Sequence, residues 1–156
     1  MPELSKRVGE FTDSVIRRMT RISDATPGSI NLSQGFPDFD PPQVLLDALR
    51  EMAGGGEQHQ YSVTYGSENL RRCIAEKYSP IHGYEIDPET QVVVTCGGTE
   101  AMMAAMMTVC NPGDKVIVFS PFYENYGADA ILSGAEPIYV PLVPPTFNYD
   151  SKVLED

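Results

Sequence analysis

The sequence predicts an α/β fold built on parallel strands, and three observations carry that expectation. Apolar, β-branched runs recur at 91–95 (QVVVT), 115–119 (KVIVF) and 137–142 (PIYVPL). Between them lie an Ala- and Met-rich stretch, MMAAMMTVC over 102–110, and a segment opening at Ser120-Pro121 and reaching about Leu132, both of helical length and composition. Turn signals separate the pieces: Asn111-Pro-Gly-Asp114 after the first helix and Ser133-Gly134 after the second. Runs of this kind read as strands buried on both faces. Their alternation as βαβαβ with short connections calls for a parallel sheet with right-handed crossovers.

Ahead of this core the chain reads in order as follows. Leu4, Val8, Phe11, Val15, Ile16, Met19 and Ile22 fall at helical spacing with Lys6, Arg7, Arg17, Arg18 and Arg21 between them. The pattern predicts an amphipathic helix over 4–22, either packed on its own domain or docked on a second subunit. Pro27-Gly28 ends it, and Ser29–Ser33 reads as a short strand. The stretch Gln34–Pro42 holds Gly35, two Phe and three Pro, so it is a stiff, irregular loop, either a linker or the lining of a site. Pro42 suits the first position of a helix carrying Val44, Leu45, Ala48, Leu49 and Met52, which Gly54-Gly55-Gly56 ends. Ser67 is placed to cap a further helix with Leu70, Cys73, Ile74, Lys77 and Tyr78 on one face, closed by Gly83. The last residues, from Val143, look like the start of another element, and no internal repeat is visible.

Composition excludes several classes. With 156 residues, 42% hydrophobic content and eight Tyr, the chain has the makings of one globular domain, or one with a small appendage. A net charge of −11 argues against a nucleic-acid backbone as partner, although it does not forbid a local anion pocket made of backbone N–H groups. Cys73, Cys96 and Cys110 are odd in number and widely spaced, which predicts buried thiols in a reducing compartment. His59 and His82 are too isolated to suggest a metal. No apolar leader or spanning segment is visible, so a soluble cytoplasmic protein is the expectation.

Chemistry concentrates in two loops. Cys96-Gly97-Gly98-Thr99-Glu100-Ala101 joins a strand run to a helix run, and a Gly-rich turn feeding a helix start can hold an anion. The same letters also describe an ordinary tight turn with an N-cap. The loop has neither the Walker pattern nor the G-x-G-x-x-G spacing. The second loop, Ser120-Pro-Phe-Tyr-Glu-Asn-Tyr126, leaves the next strand at the same edge, where open α/β sheets bind ligands. Its rings either stack on a planar, phosphorylated ligand or pack a helix on the sheet.

Taken together, INLSQGFPDF, QYSVTYGSENLR, VVVTCGGTEAM and GDKVIVFSPFYENY, in this order and spacing, resemble the N-terminal part of the class I/II aminotransferases. These are fold-type-I enzymes dependent on pyridoxal 5′-phosphate, and the QGFPDF segment is most similar to the kynurenine/glutamine and methionine aminotransferase branch. The resemblance runs from about residue 5 to 155 and rests on all four motifs in register. It implies a three-layer large domain, a partial parallel or mixed sheet flanked by helices, with an N-terminal arm and small-domain segment over 1–39 and the large domain over 40–156.

Residue by residue, the resemblance implies that Gly98 and Thr99 hold the cofactor phosphate with Glu100 beside them. Gly97 allows the approach. Tyr123 stacks on the pyridine ring, Phe122 being the alternate. Tyr61 reaches the phosphate of the other subunit of a homodimer, and Gly35 lies against the substrate's amino-acid portion. Amino acids and 2-oxo acids are the implied substrates. The Schiff-base lysine, the acid facing the pyridine nitrogen and the substrate-binding arginine lie farther along in the family. Lys6, Lys77, Lys115 and Lys152 do not stand in a comparable setting, so the chain reads as the front part of such an enzyme, cut within the large domain and inactive alone. A carbon–sulfur β-lyase of the same fold and a non-catalytic cofactor-binding or dimerising fragment stay open as alternatives.

Overall fold

The computed structural model describes residues 3–11, 13–56 and 59–155. In chain order its elements are a 3-10 helix at Lys6–Gly9, α1 (Val15–Asp24), α2 (Gln43–Ala53), α3 (Glu68–His82), α4 (Gly98–Val109), β1 (Lys115–Ser120), α5 (Asn125–Leu132), β2 (Glu136–Val143), β3 (Asn148–Tyr149) and α6 (Ser151–Glu155). They fall into two compact units. One is Asn31–Thr95; the other joins the residues up to Ile30 with those from Cys96 onward.

In the Asn31–Thr95 unit the helix boundaries follow the local signals. Pro42 is the N-cap of α2, with its fixed φ and missing N–H costing nothing there, and Gly54 is the C-cap. Ser67 Oγ accepts from the Leu70 N–H (3.3 Å) at the start of α3, and Gly83 closes it in the left-handed region, φ 74°. The unit is tied together by Arg71, which is only 4% exposed. Its guanidinium donates to the carbonyls of Gly66 and Pro88 and to the Glu89 carboxylate, so three acceptors from two stretches of chain satisfy one buried cation. Beside it, Gly66 has φ +97°, and a Cβ there would stand 2.6 Å from Val94 Cβ. Only glycine admits that approach, which the Val94 N–H secures by donating to the Tyr65 carbonyl (2.9 Å).

The other unit contains the sheet. β1 and β2 pair in parallel, from Lys115↔Glu136 to Ser120↔Pro141, with α5 as the crossover between them. β3 adds an antiparallel step, Leu142↔Tyr149 and Val143↔Asn148. Val118, Ala130, Ile131, Ala135 and Val140 form the buried centre, where the crossover helix lies on the parallel pair. Phe122 stacks on Tyr139 at 5.0 Å between ring centroids. The absence of a side chain at Gly127 lets α5 settle against the Tyr139 hydroxyl. The expected βαβ alternation is therefore present over 115–143.

Other expectations are corrected. The stretch 91–95 belongs to no ladder among the described residues, and Val93 is exposed. A doubly buried strand needs a partner on each edge, and the described residues do not provide them. Ser29–Ser33 is not a strand either. Asn31 Oδ1 accepts from both the N–H and the hydroxyl of Ser33 (2.9 and 2.6 Å), a local turn that competes with any ladder, and Leu32 is exposed. The single helix expected over 4–22 is broken into the 3-10 helix and α1. Ser14 Oγ caps α1 by accepting from the Arg17 N–H, and Asp13 accepts from Ser14 N–H and pairs with Arg21 at 2.8 Å, so a fresh helix start intervenes. α4 begins at Gly98, four residues before the expected Met102, because the helix is already formed through the Gly-Thr-Glu turn. α5 begins at Asn125, after the cis Ser120–Pro121 bond and the bend through Glu124. Cys73 and Cys96 are exposed rather than buried, and Cys110 is half-buried. No helix among the described residues is long and apolar enough to cross a membrane.

Two features of the sheet unit predict behaviour in solution. Among the described residues β1 is an outer strand with one unpaired edge, and its Ile117 and Phe119 are exposed. An open apolar edge recruits another chain, so sedimentation velocity of the purified chain is expected to show concentration-dependent association. A single monomeric boundary at high concentration would contradict this. Asp129 of α5 is 5% exposed and its Oδ2 has no hydrogen-bond partner. Burial pushes its carboxyl above the ordinary carboxylate range. The folded state then holds the proton more tightly than the unfolded chain, so Asp129 favours folding most below the unfolded carboxylate pKa, and that favour is lost as pH rises through the raised value. Asp129→Asn is expected to raise stability at neutral pH by about 1 kcal/mol and to flatten the pH dependence above pH 4, read by denaturant unfolding. Equal or lower stability for Asp129→Asn at pH 7 would show that the carboxylate is compensated.

Candidate functional site

The site is built on the first turn of α4. Gly97 is the N-cap at φ 87°, ψ 175°, a conformation that side chains oppose, and it turns the chain directly into Gly98 as the first helical residue. The Ala101 N–H reaches back to the Gly97 carbonyl (3.2 Å), so the N–H groups of Gly98 and Thr99 precede the first helical bond. They stand at the positive end of a twelve-residue helix. A Cβ built at Gly98 meets nothing within 4 Å, and its φ is not in the left-handed region. The space in front of that backbone is open. Glu100, in the same turn, folds its carboxylate back to accept from the Cys96 N–H, one residue before the N-cap, which ties the loop to the helix start.

The second loop arrives at the same place from the C-terminal end of β1. Phe122 is engaged with Tyr139 on the sheet, which leaves Tyr123 as the ring nearer the helix start. Tyr123 is 52% exposed and meets Tyr126 edge-on, at 5.9 Å and 70° between rings. Asn125, the first residue of α5, donates from Nδ2 to Thr99 Oγ at 3.2 Å and links the two loops. Gly98, Thr99, Met102, Tyr123, Asn125 and Tyr126 line one cleft of about 320 Å³. A larger apolar cleft of about 540 Å³ runs on from it along Met102, Met106 and β1.

This arrangement brings together Gly98, Thr99 and Tyr123, with Glu100 holding the helix start. Tyr61 and Gly35 belong to the Asn31–Thr95 unit, where both are exposed and the Tyr61 ring has no internal cover. Of the alternative roles for the aromatic loop, Phe122 splits from Tyr123 and Tyr126: Phe122 packs on Tyr139, while Tyr123 and Tyr126 line the cleft. Asn125 was not singled out by sequence reasoning. Its signal was present, an amide two residues beyond Tyr123 at a helix start, but its partner Thr99 is 26 residues away.

The cleft suits a phosphorylated, planar ligand. Backbone N–H groups and one hydroxyl face an opening that a Cβ would enter, and an aromatic ring borders it. Its lining carries no Lys or Arg, so anion holding there rests on neutral donors.

Comparison with known proteins places this geometry in a family. Residues 27–156 match the family described as aminotransferase class I and II. A probable N-succinyldiaminopimelate aminotransferase of Mycobacterium tuberculosis is 39% identical over 138 residues, 88% of this chain and 34% of that protein. The methionine aminotransferase of Escherichia coli is 41% identical over 122 residues, 78% of this chain and 31% of the relative. The chain thus spans about a third of the length of the curated relatives it matches. Among solved structures, Escherichia coli YbdL, described as having a methionine aminotransferase function, superposes with a TM-score of 0.87 at 33% identity, covering 99% of this chain and 40% of that one. The N-succinyldiaminopimelate aminotransferase structure from Mycobacterium tuberculosis gives a TM-score of 0.84 at 36% identity, over 97% of this chain and 40% of that one. The chain belongs to the class I and II aminotransferases.

Proposed function

We propose that this chain provides the phosphate-holding side of a pyridoxal 5′-phosphate-dependent aminotransferase, which moves an amino group between an amino acid and a 2-oxo acid. The observation that carries this reading is the shared cleft of Gly98, Thr99 and Tyr123 at the start of α4. The N–H groups of Gly98 and Thr99 and the Thr99 hydroxyl hold the phosphate, and Tyr123 covers one face of the ring. Glu100 keeps the donors in place through Cys96. When bound, the cofactor supplies a carbonyl that accepts the amino group and a ring that disperses charge from the reacting carbon. The chain's own part is to fix the two ends of that molecule so that the reacting atoms keep one orientation.

The remaining assignments extend this reading. Residues 1–39 form the arm and small-domain segment, and 40–156 part of the large domain. Tyr61 donates to the phosphate in a partner subunit of a homodimer, which its full exposure here supports. Gly35 lies against the substrate's amino-acid portion. The setting is cytoplasmic. Relatives named for N-succinyldiaminopimelate and for methionine match at similar identity, so the shared region serves the cofactor rather than the choice of donor.

Gly98→Ala isolates the phosphate contact. Its methyl group projects into open space, so folding is unharmed, while the approach of an anion to the backbone is blocked. Binding of pyridoxamine 5′-phosphate, followed by fluorescence or by amide chemical shifts, is expected to weaken at least about tenfold with no fall in thermal stability. Unchanged affinity would remove the assignment.

The four lysines, Lys6, Lys77, Lys115 and Lys152, are all exposed and none lines the cleft. An exposed amine remote from the cleft is not held against a bound carbonyl and forms only an unselective Schiff base. The 156-residue chain alone is therefore expected to show no transaminase turnover. Borohydride reduction after adding pyridoxal 5′-phosphate should tag several lysines at low yield by peptide mapping. Stoichiometric trapping of one lysine, with amino-acid turnover, would overturn this.

A further inference from the structure

We infer that Asn125 is a positioning residue that sets the Thr99 hydroxyl as a hydrogen-bond donor toward the phosphate; this rests on the phosphate reading above. A threonine hydroxyl has one hydrogen to give and two lone pairs to receive with. Inside helices, Thr108 spends that hydrogen on the carbonyl of Ala104 (2.7 Å) and Ser79 on that of Ala75 (2.6 Å), each four residues back; just past helix ends, Thr26 and Ser133 do the same to Ile22 (2.8 Å) and Asp129 (2.7 Å). Thr99 stands at the second position of α4, so the helix itself has no carbonyl four residues back to offer it. Its oxygen instead receives the Asn125 amide at 3.2 Å. With one lone pair taken, the hydrogen remains to be given, and the cleft lies on the side that Thr99 and Asn125 both line.

Asn125 is well held for this task. It is the half-buried first residue of α5, and two residues later Gly127 is pressed against Tyr139. The same short loop carries Tyr123, so one rigid helix start places both the ring that covers the ligand and the amide that orients the hydroxyl. A cofactor gripped at its ring and its phosphate would find both contacts referenced to α5. A purely structural role for Asn125 would tie α4 to α5 without regard to what Thr99 donates to.

A double-mutant cycle separates the two. The full chain is titrated with pyridoxamine 5′-phosphate, and with pyridoxamine as the ligand lacking phosphate, for wild type, Asn125→Ala, Thr99→Val and the double variant. Asn125→Ala should weaken the phosphorylated ligand about fivefold in the wild-type background and by less than about 1.5-fold in the Thr99→Val background. Pyridoxamine binding should not respond in either. Asn125→Asp guards against loss of fold, because an acidic residue suits a helix start. It can only accept from the hydroxyl, so it should cost more affinity than Asn125→Ala while leaving the thermal midpoint in place, and that excess should shrink in the Thr99→Val background. An Asn125→Ala effect under twofold, or an equal loss in both backgrounds, overturns the positioning role alone. If Gly98→Ala and Thr99→Val both leave phosphate-ligand affinity at the wild-type value, the phosphate site fails and the positioning role fails with it.

Discussion

A helix cannot satisfy its own first N–H groups, and the structure around α4 is a response to that constraint. At α1 and α3 the chain meets it with serine side chains, Ser14 and Ser67, placed at the N-cap. At α4 the N-cap is Gly97, which has no side chain to offer. Glu100 folds back instead, but it serves Cys96 one step outside the helix. The donors of Gly98 and Thr99 are thus left to the cleft in front of them. At α2 and α5, too, no side chain caps the start; at α4 the glycine N-cap stands beside the cleft that Gly98 and Thr99 line.

The sheet decides where that opening points. Parallel pairing of β1 with β2 requires the chain to leave β1 at one end and return through α5, which delivers the 121–126 loop to the C-terminal edge of the strand. Two aromatic residues next to each other then take opposite tasks. Phe122 completes the packing of the crossover on Tyr139, and Tyr123 is turned to the helix start. The cleft therefore depends on the core: Val118, Ala130 and Val140 fix α5 on the sheet, α5 fixes Asn125, and Asn125 reaches Thr99.

Much of this was legible in the sequence because it is local. Ser67 before α3, Gly83 after it, and the runs at 115–119 and 137–142 each announce their element within a few residues. The Gly-Gly-Thr turn and the loop carrying Tyr123 were legible for the same reason. What failed depends on partners. The run at 91–95 has strand composition, yet a ladder is a property of pairs, and it joins none among the described residues. The amphipathic spacing over 4–22 continues straight through Asp13-Ser14, but that dipeptide caps a new helix more strongly than the apolar stripe binds the old one. Asn125 escaped because its meaning lies in Thr99, and no local pattern links an amide to a hydroxyl across a helix, a turn and a strand. Nor does any local pattern mark Asp129, which only the packing of α5 buries.

The balance of charge gives the neutral donors their weight. The chain carries −11, and the cleft lining holds no cation, so the long-range field does not draw a phosphate in. That field is screened beyond about 8–10 Å at physiological salt, whereas hydrogen bonds act in contact. Among the described residues, any hold on an anion in this cleft therefore favours donors whose direction is already set when it arrives, because a donor that has to be turned away from another acceptor gives back what it gains. Two backbone N–H groups at a helix start meet that requirement through the helix itself. A rotatable hydroxyl does not, unless a neighbour occupies its lone pair, and this is the service that the amide of Asn125 performs for Thr99.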